Sequence, residues 1–269
     1  MSTDLTPRGD IAIAEIVVYA IFLVISIFNC VRHGFKRQDG WIFLAIFCIL
    51  RIVASVLVIV VETSSNPSVG LIVAELTVSN IALTPLHMAA LGFLTTCARL
   101  TFDDVVPQNL AYLLRIVRLA LIAAIVLGIV SASELSSNSL SGTGHDLQKA
   151  SVLLITAVFA FLTVFSLYLL GFTKPVGHSR MLTLALTVTL PFLFVRVLYS
   201  ILSVFLYSSA NDKFNSATGS WQIYLGMDVI MEFVVVGVLA ITGLLLGSYY
   251  RKDVSRPSEY SEFELDNRK

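Results

Sequence analysis

Asp228 and Glu232 stand four residues apart near the end of this 269-residue chain, a spacing that stacks two acids on one face of a helix. Arg51 and Arg196 lie within apolar stretches further upstream, as do Glu15, Glu75 and His87. Carboxylates that face guanidiniums can hold one another as ion pairs or grip the polar end of a small ligand. A protonated carboxyl can also serve as a general acid. In that last case Asp228 and Glu232 would be the acids of a cyclase or isomerase, giving a proton to an alkene or epoxide. No other residue is assigned a catalytic role. Aromatic residues continue the same faces, Trp221 and Tyr224 beside the two acids and Tyr199 beside Arg196, where their rings can contact a ligand or a cation. The candidate ligand-binding set is therefore Glu15, Arg51, Glu75, His87, Arg196, Tyr199, Trp221, Tyr224, Asp228 and Glu232.

What makes these groups informative is the chain that carries them. Hydrophobic residues make up 57% of it and charged residues 13%, against about 25% charged in an ordinary soluble domain. Eighteen basic residues balance eighteen acidic ones, and the mean hydropathy is +0.86. A soluble enzyme, a nucleic-acid binder with an electrostatic footprint and a disordered chain are all excluded. A membrane helix needs about 20 mostly apolar residues. Seven stretches qualify: Ile11–Val31, Trp41–Val61, Leu71–Leu94, Leu113–Ala132, Leu147–Phe172, Met181–Leu206 and Trp221–Tyr249. The two-residue alternation of a membrane β-barrel is absent. The expected fold is an all-α, seven-transmembrane-helix bundle spanning residues 11–249, between a short N-terminus (1–10) and a mobile tail (250–269).

Orientation follows from the basic residues, which cytoplasmic segments retain. Thirteen Lys and Arg fall in or beside the first, third and fifth loops and in the tail, and three on the side of the N-terminus. The N-terminus is expected outside the cytosol and the C-terminus within it; nothing distinguishes plasma membrane from endomembrane. The first stretch lacks a basic leader and is followed by "RHGFKR", so it is a retained span rather than a signal peptide. Trp41, Tyr112, Tyr207, Trp221 and the Tyr249/Tyr250 pair fall at expected membrane interfaces. Cys30, Cys48 and Cys97 cannot form a disulfide on the far side. Cys30 and Cys97 are plain buried thiols or palmitoylation sites. Tyr260 to Phe263 has the form of a sorting signal for cytosolic machinery.

An ionised group at a helix centre costs about 2.5–3.5 kcal/mol on insertion scales, so each must face protein or water and find a partner. Arg51 and Arg196 are each expected to pair with an acid, and at least one carboxyl to be protonated. Pairs of this kind can serve only to fix helix register. A register device, however, needs one pair, and the acids of the last span exceed that requirement. Thr84-Pro85 is expected to free a carbonyl for His87 or Asn80. "LRIVASVLVIV" (50–60) is similar to "VRVLYSILSVF" (195–205), and each precedes a span with a glutamate, Glu75 or Glu232. The pattern suits a parallel 3+1+3 repeat with span four as linker, or a coincidence among Val/Leu/Ser-rich helices.

Span seven has no lysine for a retinal Schiff base, and no Walker loop, H-E-x-x-H, G-x-S-x-G or Cys/His metal spacing occurs. No cofactor and no metal are expected. The segments "LTPRGDIAIAEIVVYA", "RHGF", "GWIFLAIFCILRI", "AELTVSNIALTPL", "LPFLFVRVLYSILSVF" and "MEFVVV" resemble a family of fungal seven-helix integral membrane proteins defined by a domain of unknown function. The resemblance runs from about Thr6 to Gly247 and implies a fungal source and seven spans, but no activity. A more distant likeness, of architecture alone, is to membrane-bound fungal terpene cyclases. The leading expectation is a receptor- or carrier-like binder of a small apolar or amphiphilic molecule. The alternative is a membrane-embedded terpenoid-type cyclase or isomerase, and after it a scaffold. The expected partners are the lipid bilayer and a small hydrophobic ligand, with no nucleic acid.

Overall fold

The computed structural model describes residues 6–33, 39–64, 66–101, 108–136, 142–172, 178–206 and 219–254. Tyr207 and the Tyr260–Phe263 motif lie outside the described residues, as do the side chains of Tyr249 and Tyr250. Seven helices follow in order: α1 (Pro7–His33), α2 (Asp39–Thr63), α3 (Val69–Thr101), α4 (Gln108–Ser136), α5 (Thr143–Phe172), α6 (His178–Phe205) and α7 (221–254). There is no strand among the described residues. Every helix is long and apolar enough to cross a bilayer, and the chain is a multi-pass integral membrane protein.

Most helices outrun the apolar stretches that announce them. α1 begins at Pro7 rather than Ile11, α3 continues to Thr101 rather than Leu94, and α7 to Val254 rather than Tyr249. The backbone ladder does not require apolar side chains. Pro7 suits a first turn, where no N–H is needed, and Asp10 in that turn faces the positive helix end. α7 is not uniform. A turn at Trp221–Tyr224 leads into a π turn, Leu225–Val229, before α-helix resumes at Ile230. The Ile230 N–H donates to the Leu225 carbonyl five residues back.

Each helix packs on the next, α7 closes the ring on α1, and α3 also touches α5 and α6. α3 is the most buried of the seven. In both triplets of the suggested repeat the middle helix, α2 or α6, packs on its two neighbours. α1 shows how sequence and ring match. Val17, Val24 and Val31 are exposed toward lipid, while Glu15, Tyr19, Ser26 and Asn29 turn inward and are buried, as a bundle in hydrocarbon requires.

The half of the bundle remote from the N-terminus is filled. Trp41, Phe47, Phe93, Leu94 and Leu121 form one apolar cluster with Val236 and Ala240 of α7. Trp41 was expected at the interface, yet it is 2% exposed and sits edge-on to Phe93 at 4.5 Å between centroids. Gly243 of α7 has no side chain where the indole lies, and Gly40 of α2 lies against Ala89 and Phe93 of α3, so the ring seats against bare backbone. Cys30, Cys48 and Cys97 are buried free thiols. Pro85 and Pro191 lie inside continuous helices. The carbonyl that Pro85 leaves without its helical donor is that of Ile81. His87 does not take it, because its Nδ1 lies 2.9 Å from the Leu83 oxygen. Asn80 donates to Leu76 at 2.9 Å. Each side chain reaches its own carbonyl one turn back.

Candidate functional site

Four helices bring five side chains to one point. Arg51 on α2 donates through Nε to Glu232 Oε2 at 2.5 Å and through Nη2 to Asp228 Oδ2 at 2.6 Å; Nη2 also contacts Glu232 Oε2. Arg196 on α6 places Nε 2.7 Å from Glu232 Oε1 and 2.7 Å from Asp228 Oδ1. Tyr19 on α1 donates its hydroxyl to Glu232 Oε2 at 3.0 Å, and Arg196 Nη1 donates to Ser200 Oγ at 2.6 Å. Each arginine therefore meets both acids. Arg51 and Glu232 are 0% exposed, Asp228 2% and Arg196 3%. Charges this deep are tolerable only when paired and hydrogen-bonded, and the cluster meets that condition with two positive and two negative groups.

Glu15 belongs to a second layer. It accepts from Ser55 Oγ at 2.6 Å and from the Tyr224 hydroxyl at 3.2 Å, so hydroxyls rather than guanidiniums hold it. Two chambers open beside these layers, in the half of the bundle that carries the N-terminus. The smaller, about 100 Å³, is lined by Arg8, Glu62, Glu75, Tyr199, Tyr224, Asp228 and Arg196 among others. The larger, about 280 Å³, lies between α3, α4, α5 and α6 against Ile81, Ile125, Gly128, Ser151, Val152 and Val197. Leu76, Asn80, Ser200 and Ser203 line both, so the two adjoin.

Of the ten residues singled out from the sequence, Glu75, Arg196, Tyr199, Tyr224 and Asp228 line the smaller chamber. Arg51 and Glu232 lie behind that wall in the ion-pair cluster, with Glu15 joined through Tyr224. His87 is fully buried against Phe159 and lines neither chamber. Trp221 is 41% exposed and lines neither. Glu75, the counterpart of Glu232 in the suggested repeat, meets neither Arg51 nor Arg196 in an ion pair.

Sequence reasoning missed Arg8, Glu62 and the α4–α5 wall. Arg8 lies over the Tyr224 ring at 5.4 Å, and Thr6 Oγ1 donates to Glu62. The start of α1 thus lies against the smaller chamber. The signal was present, since Arg8, Ala12, Glu15 and Tyr19 keep helical spacing, but the apolar stretch was taken to begin after Arg8. Among the described residues no group of His, Cys, Asp and Glu is placed to hold a metal ion.

Seven spans in a closed ring, with ion pairs buried beside internal chambers, define a polytopic integral membrane protein with an intramembrane polar site. Residues 5–249 match the family described as a domain of unknown function, DUF7702, and the chain belongs to that family. No curated protein and no solved structure matches the chain.

Proposed function

We propose that this is a fungal receptor- or carrier-like membrane protein that binds a small apolar or amphiphilic molecule in the paired chambers. The observation behind this reading is the adjacency of a mainly apolar chamber, about 280 Å³, to a smaller one walled by ionisable groups. Small-ligand sites span about 300–1,000 Å³, mostly apolar with a few convergent polar groups, and the larger chamber alone approaches that range. In the cyclase or isomerase reading, Asp228 or Glu232 must deliver a proton to a substrate. Their oxygens are engaged by two guanidiniums, and Glu232 lines neither chamber, so the binding reading is the better supported.

Gly128 supplies the test. A side chain there starts with only ordinary contacts, Ser151 Oγ at 3.7 Å and the Ile81 side chain at 3.8 Å, and a larger one extends into the cavity. In a thermal-shift screen of small amphiphiles on the purified chain, compounds that stabilise the wild type are expected to lose their effect in Gly128→Leu, with membrane abundance unchanged. A screen without stabilisers, or stabilisers indifferent to Gly128→Leu, would count against the reading.

The proposal includes the orientation, with the N-terminus outside the cytosol and the C-terminus within. Protease added to intact spheroplasts or sealed vesicles should cut an N-terminal tag and spare a C-terminal one, or the converse in vesicles of cytosol-out orientation. Matching results for the two tags, or the opposite pattern, would refute it.

A further inference from the structure

We propose that the ligand of the paired chambers is a cationic amphiphile, an amine held by Glu75 and Glu62 with its apolar body in the larger chamber. The inference rests on the binding reading above and specifies its ligand class. It begins with the charges on the chamber wall. Arg51 and Arg196 pair with Asp228 and Glu232, while Glu15 accepts from the hydroxyls of Ser55 and Tyr224. The lining of the smaller chamber carries three carboxyls, Glu62, Glu75 and Asp228, and two guanidiniums, Arg8 and Arg196, an excess of one acid.

The acceptors are also short of donors. Glu62 receives the Thr6 hydroxyl on one oxygen, and its other oxygen is buried and accepts no hydrogen bond. Among the described residues Glu75 accepts none of the hydrogen bonds that hold Glu15, Asp228 and Glu232, although it lies on the chamber wall. A buried acceptor without a donor is costly. An anionic head group would meet the two carboxylates Glu62 and Glu75 against the one guanidinium of Arg8, and a neutral hydroxyl would bring a single donor. An ammonium brings up to three donors and the missing charge.

The remainder of the ligand follows from the neighbouring space. No Asp, Glu, Lys or Arg lines the larger chamber, which is walled by Ile81, Ile125, Val152 and Ile155 with scattered hydroxyls. Its adjacency to the smaller chamber along Leu76, Asn80, Ser200 and Ser203 suits a molecule with one charged end and an apolar body.

The experiment uses three molecules of matched shape, phenylbutylamine, phenylbutanol and phenylbutyrate, titrated onto the purified full-length chain while its thermal unfolding midpoint is followed. The amine is expected to stabilise at the lowest concentration. Glu75→Gln and Glu62→Gln should each weaken the amine by about tenfold or more and leave the alcohol unchanged; if either variant folds poorly, the other serves. Equal or better stabilisation by the alcohol or the carboxylate would overturn the amine assignment and leave the binding reading intact. Unaltered amine affinity in both variants would do the same. If none of the three binds, the amine assignment is wrong, and the Gly128-sensitive screen decides the binding reading separately.

Discussion

Arg51→Met is expected to destabilise the folded chain by about 3–5 kcal/mol, the cost of removing one partner from a buried ion pair. The Arg51 guanidinium engages both Asp228 and Glu232, and without it a single guanidinium, Arg196, would face two carboxylates at near-zero exposure. The loss is of balance more than of contact. Arg51→Met combined with Asp228→Leu should therefore recover most of the stability, because one acid then faces one arginine and Tyr19. Arg51→Lys should recover less than the double variant, since an ammonium is a point charge and cannot present the Nε and Nη2 geometry. Unfolding midpoints in detergent and the monodisperse fraction after membrane extraction report the effect. A double variant as unstable as Arg51→Met alone would show that the cluster is not a charge-compensated unit.

Gly243→Ala should be nearly as damaging, for a different reason. A Cβ on Gly243 would overlap the edge of the Trp41 ring and lie 2.6 Å from Asn29 Nδ2. Neither neighbour can withdraw freely. Trp41 is enclosed by the core and stacked edge-on with Phe93, and Asn29 donates to the Ala240 carbonyl at 3.1 Å. Overpacking of this kind costs about 1–3 kcal/mol and occasionally more. Trp41→Phe, which shortens the inserted ring, should make Gly243→Ala less harmful than it is in the wild type. If the two substitutions simply add in a stability cycle, the contact of the Trp41 ring with Gly243 does not limit the packing there.

Together these two predictions divide the bundle by function. The half remote from the N-terminus holds the helices together through the packing of Trp41, Phe93 and Gly243. The other half holds the two chambers, with the buried ion pairs beside them. Helices α2, α6 and α7 run through both halves. The volume of the larger chamber and the stability of the remote core can therefore be altered separately, by Gly128→Leu and by Gly243→Ala respectively.

Some of this was legible in the chain and some was not. The stripe Glu15, Tyr19, Ser26 and Asn29 could be placed on one face of α1 because helical spacing is a local property. The need of Arg51 and Arg196 for acids followed from the cost of charge in hydrocarbon. The π turn at Leu225–Val229 left no mark in the spacing, since Asp228 and Glu232 read as an ordinary i, i+4 pair. Trp41 read as an interface anchor because a tryptophan at the end of an apolar run is the usual form of one; only the side-chain-free surface of α7 opposite it gave the ring a place inside. Likewise α4 read as an apolar linker, and its Gly128 face became a chamber wall only through packing against α3 and α5.

By itself the sequence determined seven spans, which face of each helix must avoid lipid, and that the buried charges need partners, because these follow from hydrophobicity and the helical repeat. Only the tertiary structure decided that two arginines share the same two acids, that Arg8 and Glu62 join Glu75 at a chamber, and that His87 and Trp221 stand apart from it. Those facts depend on distances across the bundle between residues as far apart as Arg8 and Asp228, and no periodicity along a single helix encodes them.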